Sequence, residues 1–168
     1  MKKIIKNTFI LLAVLGLVQC ASTINTTGKI DFTSKIENVA VICTSPENVL
    51  KFSNDLCSSL KNELNKSGVE VTTKVISEMN PSFDSGEMSI TTEQQANLVM
   101  TISHERISIT YGKPSGTLML IELIDPINNK KIWAAKMSTL GSNVTGPGNS
   151  EKVAAEIVEK MKADGLKL

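Results

Sequence analysis

The sequence predicts an α+β fold in which a two-layer mixed β-sheet carries both of its helices on one face. Three observations lead to this prediction: a strand-helix-strand pattern over residues 38–76, three strand-like segments joined by turn sequences over residues 98–137, and a closing amphipathic segment over residues 150–165. The first pattern is typical of a parallel β-α-β unit and the second of an antiparallel meander. Together they predict one sheet of mixed direction packed against two helices.

The β-α-β unit is predicted from apolar patterning and from helix end signals. Residues 38–44 (NVAVICT) form a short run rich in β-branched residues, as in a strand that is covered on both faces. Ser45 is expected to cap the next helix, which should continue to Lys66 and end at Gly68. Residues 69–76 alternate like a second strand, and a right-handed crossover would place it parallel to the first.

The next strand-like segment, residues 98–110, changes its apolar parity halfway. Met100 and Ile102 share one face of this strand, whereas Ile107 falls on the other. A one-residue slip reverses the faces of a strand, so we expect a β-bulge at residues 103–106. Two separate short strands are the alternative.

Two turn sequences connect the three strands of the predicted meander. Residues 112–116 and 125–130 contain Gly, Pro, Asp and Asn, and they flank apolar strands at residues 117–124 and 132–137. The last helix should begin with Ser150 as its cap and end at Gly165. Its expected buried stripe consists of Val153, Ala154, Ile157, Val158 and Met161.

The chain divides into a leader, a tether and one domain. Residues 1–19 are predicted to be a signal peptide, residues 20–29 a flexible tether rich in Ser, Thr, Asn and Gly, and residues 30–168 a single α/β domain. The polar residues 77–95 are expected to form a long surface loop.

The leader has the composition of a secretory signal. Lys2, Lys3 and Lys6 precede ten apolar residues, 9–18. That run is too short to span a bilayer but fits a signal h-region. The sequence then reads Leu17-Val18-Gln19-Cys20, which resembles the lipobox of bacterial lipoproteins, although Gln19 stands where that family carries Gly, Ala or Ser. The alternative is an ordinary secreted protein with a cysteine near its cleavage point.

The lipobox resemblance implies a membrane anchor. In this family the cysteine, here Cys20, becomes a diacylated N-terminus after cleavage, and two acyl chains hold a protein stably on a membrane. Ala21 is not the aspartate that retains such proteins in the inner membrane. We therefore expect a lipid-anchored protein of the cell envelope, on the outer membrane and facing the periplasm.

Charge and motif content argue against several function classes. Removal of the three leader lysines reduces the 18 basic residues to 15, against 17 acidic residues, so nucleic acid is not an expected partner. The single histidine, His104, lies between polar neighbours and is expected to be a surface strand residue. No Cys-x-x-Cys, His-Glu-x-x-His, Gly-x-Ser-x-Gly or phosphate-loop spacing occurs. The sequence therefore predicts no catalytic residue, no metal and no cofactor, and a protein that is not an enzyme.

Two cysteines remain after Cys20 is assigned to the anchor. An oxidising envelope would permit a disulfide between Cys43 and Cys57. However, Cys43 precedes the predicted helix and Cys57 lies within it, which implies a separation of about 16–18 Å along the helix rise. Two buried free thiols are therefore the expectation.

A second resemblance lies in the last third of the chain. Residues 120–136 (LIELIDPINNKKIWAAK) and 154–166 (AAEIVEKMKADGL) look like parts of small envelope lipoproteins that assist outer-membrane machinery. Examples are the lipopolysaccharide-assembly lipoprotein, the curli-secretion lipoprotein and the lipoprotein activators of cell-wall synthases. The resemblance implies a non-enzymatic binding or assembly role. A solute- or lipid-binding lipoprotein is the alternative, and an envelope hydrolase is a third.

The strand at residues 117–124 is apolar on both of its faces. If both helices cover one face of the sheet, then Leu118, Leu120 and Ile124 lie on the other. Contiguous exposed apolar area usually marks an interface, so we predict that these residues and Trp133 meet a protein partner or a second copy of the chain. The alternative is that the tether or the loop at residues 77–95 covers them.

Overall fold

The computed structural model describes residues 22–28, 32–78, 96–140 and 148–168. These ranges contain six strands and two helices, and the predicted α+β class is confirmed. The strands are β1 (Thr23–Thr26), β2 (Asn38–Ser45), β3 (Glu70–Ser77), β4 (Leu98–Thr110), β5 (Lys113–Asp125) and β6 (Lys130–Leu140). The helices are α1 (Leu50–Lys66), which a short 3-10 turn at Glu47–Val49 precedes, and α2 (Asn149–Ala163).

The six strands form one mixed sheet in the order β1-β6-β5-β4-β2-β3. Strand β2 pairs in parallel with β3 and with β4, whereas the pairs β4–β5, β5–β6 and β6–β1 are antiparallel. The predicted β-α-β unit and the predicted meander are therefore both present. They join through β2 and β4, and both helices pack on the same face of the sheet.

The hydrophobic core lies between the helices and this inner face of the sheet. Strand β5 contributes Met119, Ile121 and Leu123, which are fully buried because every second side chain of the strand points at the helices. Helix α1 contributes Leu56, Leu60 and Leu64 at helical spacing. Burial of each such side chain contributes about 1.5–3 kcal/mol relative to exposure.

Both helices end as predicted but neither begins as predicted. Gly68 and Gly165 have φ values of +84° and +95°. The N–H groups of Val69 and Leu166 donate to the carbonyls of Leu64 and Met161, which is the Schellman arrangement. The predicted caps were wrong: Ser45 is the last residue of β2, and Ser150 lies inside the first turn of α2, behind Gly148.

Strand β4 is continuous and bulged, as the change of apolar parity predicted. The register of its pairing with β5 shifts between His104 and Arg106, so Glu105 is the extra residue. The predicted turn at residues 112–116 was wrong, because the chain reverses at Tyr111 and Gly112, both with positive φ. Gly116 instead lies within β5, where a Cβ atom would stand 2.7 Å from the carbonyl oxygen of Thr139.

Part of the predicted tether is an edge strand. Strand β1 pairs with β6, so the prediction of a flexible tether at residues 20–29 was wrong for residues 23–26. The hydroxyl of Thr26 donates to Asp164 at the end of α2. The predicted signal peptide, Cys20 and most of the predicted loop at residues 77–95 lie outside the described residues, although Ser77 itself ends β3.

The two cysteines form a disulfide, which corrects the expectation of free thiols. The Cα atoms of Cys43 and Cys57 are 6.7 Å apart, within the range that a disulfide spans. The expected separation was too large because it was measured along the helix alone. Helix α1 turns back over β2 after the 3-10 turn, so a residue two turns into the helix returns to the level of Cys43.

Candidate interaction surface and partly buried histidine

The outer face of the sheet, which we define as the face that points away from both helices, carries three of the four predicted surface residues. Leu118, Leu120 and Ile124 alternate with the buried core residues of β5 and are half-buried. Trp133 does not belong to this surface, and its assignment there was wrong. It is paired with Leu123 on the inner face, is 1% exposed, and donates its indole N–H to Asp164 at 2.9 Å.

Ion pairs border the apolar residues of the outer face. Lys136 on β6 contacts Glu105 on β4 at 2.7 Å. Because β5 lies between these strands, the pair passes over β5 beside Leu120, which is the cross-strand partner of Lys136. A second pair joins Lys131 to Glu122. The outer face therefore offers leucine side chains framed by charges of both signs, a composition suited to a polar-rimmed protein interface.

The hairpin between β4 and β5 projects beyond the rest of the sheet. Strand β2 pairs with β4 only as far as Ser103, so β4 continues past the end of β2 to Thr110. Large apolar side chains are exposed at this end: Ile109 is 59% exposed, Tyr111 100% and Leu140 60%. We call residues 107–116 the hairpin tip. At the opposite end of the meander, Ile127 is 87% exposed in the turn between β5 and β6.

His104 is a packed residue of the inner face and not the surface residue that the sequence suggested. Its Nδ1 lies 2.8 Å from the Thr117 hydroxyl, and its Nε2 lies 2.9 Å from the Ser53 hydroxyl. Since Thr117 donates to the carbonyl of Arg106, it accepts from Nδ1–H, so the lone pair of Nε2 faces the Ser53 hydroxyl, which also lies within donating distance of Ser45 and of the Val49 carbonyl. The sequence did indicate this position. His104 lies two residues after Ile102 and four after Met100, so it falls on the same face of the strand as these two apolar residues.

Partial burial keeps this histidine neutral. Removal of the ring from water lowers the pKa of His104 to about 4 from its usual 6.5. Ser53 and Thr117 are themselves buried, and Ser53 also bonds to Ser45 at 2.8 Å. The hydroxyl and imidazole groups thus form a chain that ties α1 to β2, β4 and β5. The second ring nitrogen faces a hydroxyl rather than a carboxylate, so the arrangement differs from a Ser-His-Asp triad.

Asp164 forms a second junction between elements, where its side chain is partly buried. It accepts hydrogen bonds from Trp133 and from Lys160, the latter at 2.6 Å, as well as from Thr26. Burial raises the pKa of Asp164, but the bonds from Lys160, Thr26 and Trp133 outweigh that effect and hold it below the usual value. This carboxylate therefore connects β1, β6 and α2.

The described ranges contain neither a cluster of metal-ligating side chains nor a helix that could span a bilayer. Within them, no three His, Cys, Asp or Glu side chains are placed to hold a metal ion. Among the same residues, neither helix combines the length and the apolarity that crossing a bilayer requires.

The fold is similar to those of three solved structures, one of which is a lipoprotein. The PelC dodecamer from Paraburkholderia phytofirmans aligns with 88% of this chain and 100% of its own, with a TM-score of 0.56 and 19% identity. A variant PelC dodecamer from the same species gives a TM-score of 0.53 with 16% identity, over the same shares of the two chains. Lipoprotein GNA1162 from Neisseria meningitidis aligns with 76% of this chain and 99% of its own, with a TM-score of 0.50 and 12% identity.

At these identities the likeness describes the fold and not the activity. No protein-family model matches the chain, and no protein of curated function matches its sequence.

Proposed function

We propose that this chain is a lipid-anchored protein of the bacterial cell envelope that has a non-enzymatic assembly role at the outer membrane and performs it as a homo-oligomer. The observation that carries the proposal is the outer face of the sheet. Leu118, Leu120 and Ile124 lie there on a strand whose other face is fully buried. Apart from Glu122, strand β5 is apolar on both faces and the helices cover only one of them, which leaves a half-buried apolar surface suited to another protein chain.

The disulfide supports the envelope location independently of the lipobox. Disulfides persist in exported proteins and are rare in a reducing cytoplasm. The bond between Cys43 and Cys57 is buried in the core, where it joins β2 to α1. A chain whose core contains such a bond is expected to fold after export, which is also what the leader and Cys20 predict.

The comparisons support an assembly role. PelC is a dodecamer in both solved forms, and its whole chain aligns with most of this one. GNA1162 is a lipoprotein. By analogy we propose that copies of this chain associate through the outer face while each is held on the membrane by acylated Cys20.

A non-enzymatic role is part of the proposal. The Ser53–His104 pair is the arrangement most similar to a catalytic one, but Ser53 is about as buried as the core leucines. A substrate could not reach its hydroxyl without displacement of α1. We therefore assign this pair to stability.

Light scattering of the purified acylated protein in a mild detergent tests the proposal. We expect a protein mass several times that of one chain. The variant Leu120→Asp should dissociate the oligomer, because it would bury a second carboxylate beside the Lys136–Glu105 pair, where one lysine faces two negative charges in the interface. The matched control is Ile127→Asp, which makes the same kind of change at an exposed turn residue outside the outer face.

Circular dichroism would establish that both variants are folded. A wild-type protein that is monomeric at every concentration tested would contradict the proposed oligomer. So would a Leu120→Asp protein that keeps the full assembled mass. If the wild-type protein captured other proteins from solubilised envelopes and Leu120→Asp did not, the outer face would also bind those proteins.

A further inference from the structure

The N-terminal strand and the hairpin tip lie at the same end of the sheet. Thr23 on β1 pairs with Ser138, Ser138 pairs with Leu118, and Leu118 pairs with Arg106. These four residues form one row across β1, β6, β5 and β4. If the chain is followed from Thr23 toward its N-terminus, it leaves this row on the same side as the hairpin tip, to which β4 and β5 extend.

The length of the chain limits how far the anchor can lie from the row. Cys20 is three residues before Thr23, and three residues span at most about 10 Å when fully extended. The strand β1 is fixed to β6 and, through Thr26, to Asp164. The proposed acylated residue is therefore held within about 10 Å of the row, whatever path the intervening chain takes.

The hairpin tip reaches further than the anchor can. Gly112 lies six residues beyond Leu118 along β5. At about 3.3 Å per residue, the turn stands roughly 20 Å beyond the row. With the strands upright on the membrane, the turn would therefore extend about 10 Å past the level of Cys20, a depth comparable with that of the polar region of one leaflet.

The composition of the hairpin tip suits a lipid surface. Residues 106–121 contain no Asp or Glu, and their two charged side chains, Arg106 and Lys113, are cationic. Tyr111 is fully exposed beside Ile109, and tyrosine is enriched where protein meets the membrane interface. Basic residues near it would meet the phosphates of anionic lipids.

The backbone at the turn gives an independent indication. Tyr111 has a φ of +52°, a left-handed conformation that asparagine or glycine adopts at lower energy than a bulky residue. The side chain is fully exposed, so it makes no packing contact that offsets this cost. A contact between Tyr111 and another molecule would account for a tyrosine at this position.

We infer that the hairpin tip inserts its Tyr111 and Ile109 side chains into the interfacial region of the leaflet that holds the acylated Cys20. The inference rests on the proposed lipid anchor. The occupant of this surface is the phospholipid layer, and the protein would have two points of attachment, the acylated Cys20 beside β1 and the hairpin tip beyond β4 and β5. Two attachments fix the orientation of a domain that one anchor leaves free to rotate.

Quenching of tryptophan fluorescence by brominated lipids tests this orientation. The processed, acylated protein that begins at Cys20 is reconstituted in vesicles of phosphatidylethanolamine and phosphatidylglycerol, with and without bromine on the acyl chains. The variants are Tyr111→Trp at the tip and Ile127→Trp at the opposite end of the meander. The wild-type protein supplies the background, because its one tryptophan, Trp133, is buried.

We expect the added emission of Tyr111→Trp to shift to shorter wavelength in vesicles and to be mostly quenched by brominated lipid. The added emission of Ile127→Trp should stay at the wavelength of a hydrated indole and should not be quenched. Flotation of the same samples reports whether the protein is anchored at all.

Three results would overturn the inference. Protein that floats with vesicles but shows unshifted, unquenched Tyr111→Trp emission would place the tip in water while leaving the anchor intact. A blue shift that bromine does not affect would place the tip against another protein, such as a second copy. Acylated preparations that fail to float would remove the anchor, and with it both the proposed function and this orientation.

Discussion

His104 shows how one residue can make the stability of a whole domain depend on pH. Its ring is neutral in the folded protein, because burial lowers its pKa to about 4, whereas in the unfolded chain it titrates near 6.5. Between these two values the unfolded state binds more protons than the folded state. Stability is therefore fully present above pH 6.5 and is lost progressively as the pH falls toward 4.

This predicts that lowering the pH from 7 to 5 decreases the free energy of unfolding by roughly 2 kcal/mol through His104. The variant His104→Gln keeps a polar group near Ser53 but cannot titrate, so its loss over the same interval should be smaller by that amount. Urea denaturation of both proteins at the two pH values measures the difference. If the free energy of unfolding fell by the same amount in both proteins, the His104 ring would be accessible to protons in the folded state, which would contradict the prediction.

At the scale of elements, the disulfide joins strand β2 covalently to helix α1 within the β-α-β unit. It closes a loop between residues 14 positions apart, for which the loss of unfolded-chain entropy corresponds to about 3 kcal/mol. We expect the double variant Cys43→Ala, Cys57→Ala to lose approximately 2–4 kcal/mol of unfolding free energy. Urea titration with and without reductant measures this loss, since reductant should weaken the wild type and leave the double variant unchanged. Equal stability of the oxidised and reduced wild type would contradict it.

The sequence was sufficient for elements whose signals are local. The α+β class, the glycine helix ends and the bulge at Glu105 follow from apolar periodicity and from the conformational freedom of glycine. The helix starts were wrong because other residues occupy the cap positions. Val49 and Gly148 precede the helices, and neither makes a side-chain capping bond.

Features that depend on distant parts of the chain were not predictable in this way. Strand β1 has the polar composition of a tether, and it is a strand because β6, more than a hundred residues later, supplies its hydrogen bonds. The disulfide depends on the path of α1 back over β2. The pairing of β6 with β5 shifts by one residue between Leu123 and Ile124, and this shift decides which face of the sheet Trp133 lies on. The sequence does not reveal the shift, so the assignment of Trp133 to the outer face was wrong.

At the scale of the whole molecule, the ordered β1 strand limits how far the domain would stand from a membrane under the proposed anchor. With a flexible tether of ten residues, the domain could move freely above the lipid. With β1 beginning at Thr23, only Ala21 and Ser22 separate it from the proposed anchor at Cys20. Copies held this close to one surface would present their outer faces in a common orientation, which favours lateral association over association in solution.

The central claim is that the chain is exported, acylated at Cys20 and oxidised in its core. Intact-mass spectrometry of the protein purified from membranes tests all three parts at once. We predict a chain that begins at Cys20, carries the added mass of its acyl groups, and is two hydrogens lighter than its reduced form because of the bond between Cys43 and Cys57. An unmodified N-terminus, or an acylated chain with both thiols free, would contradict it.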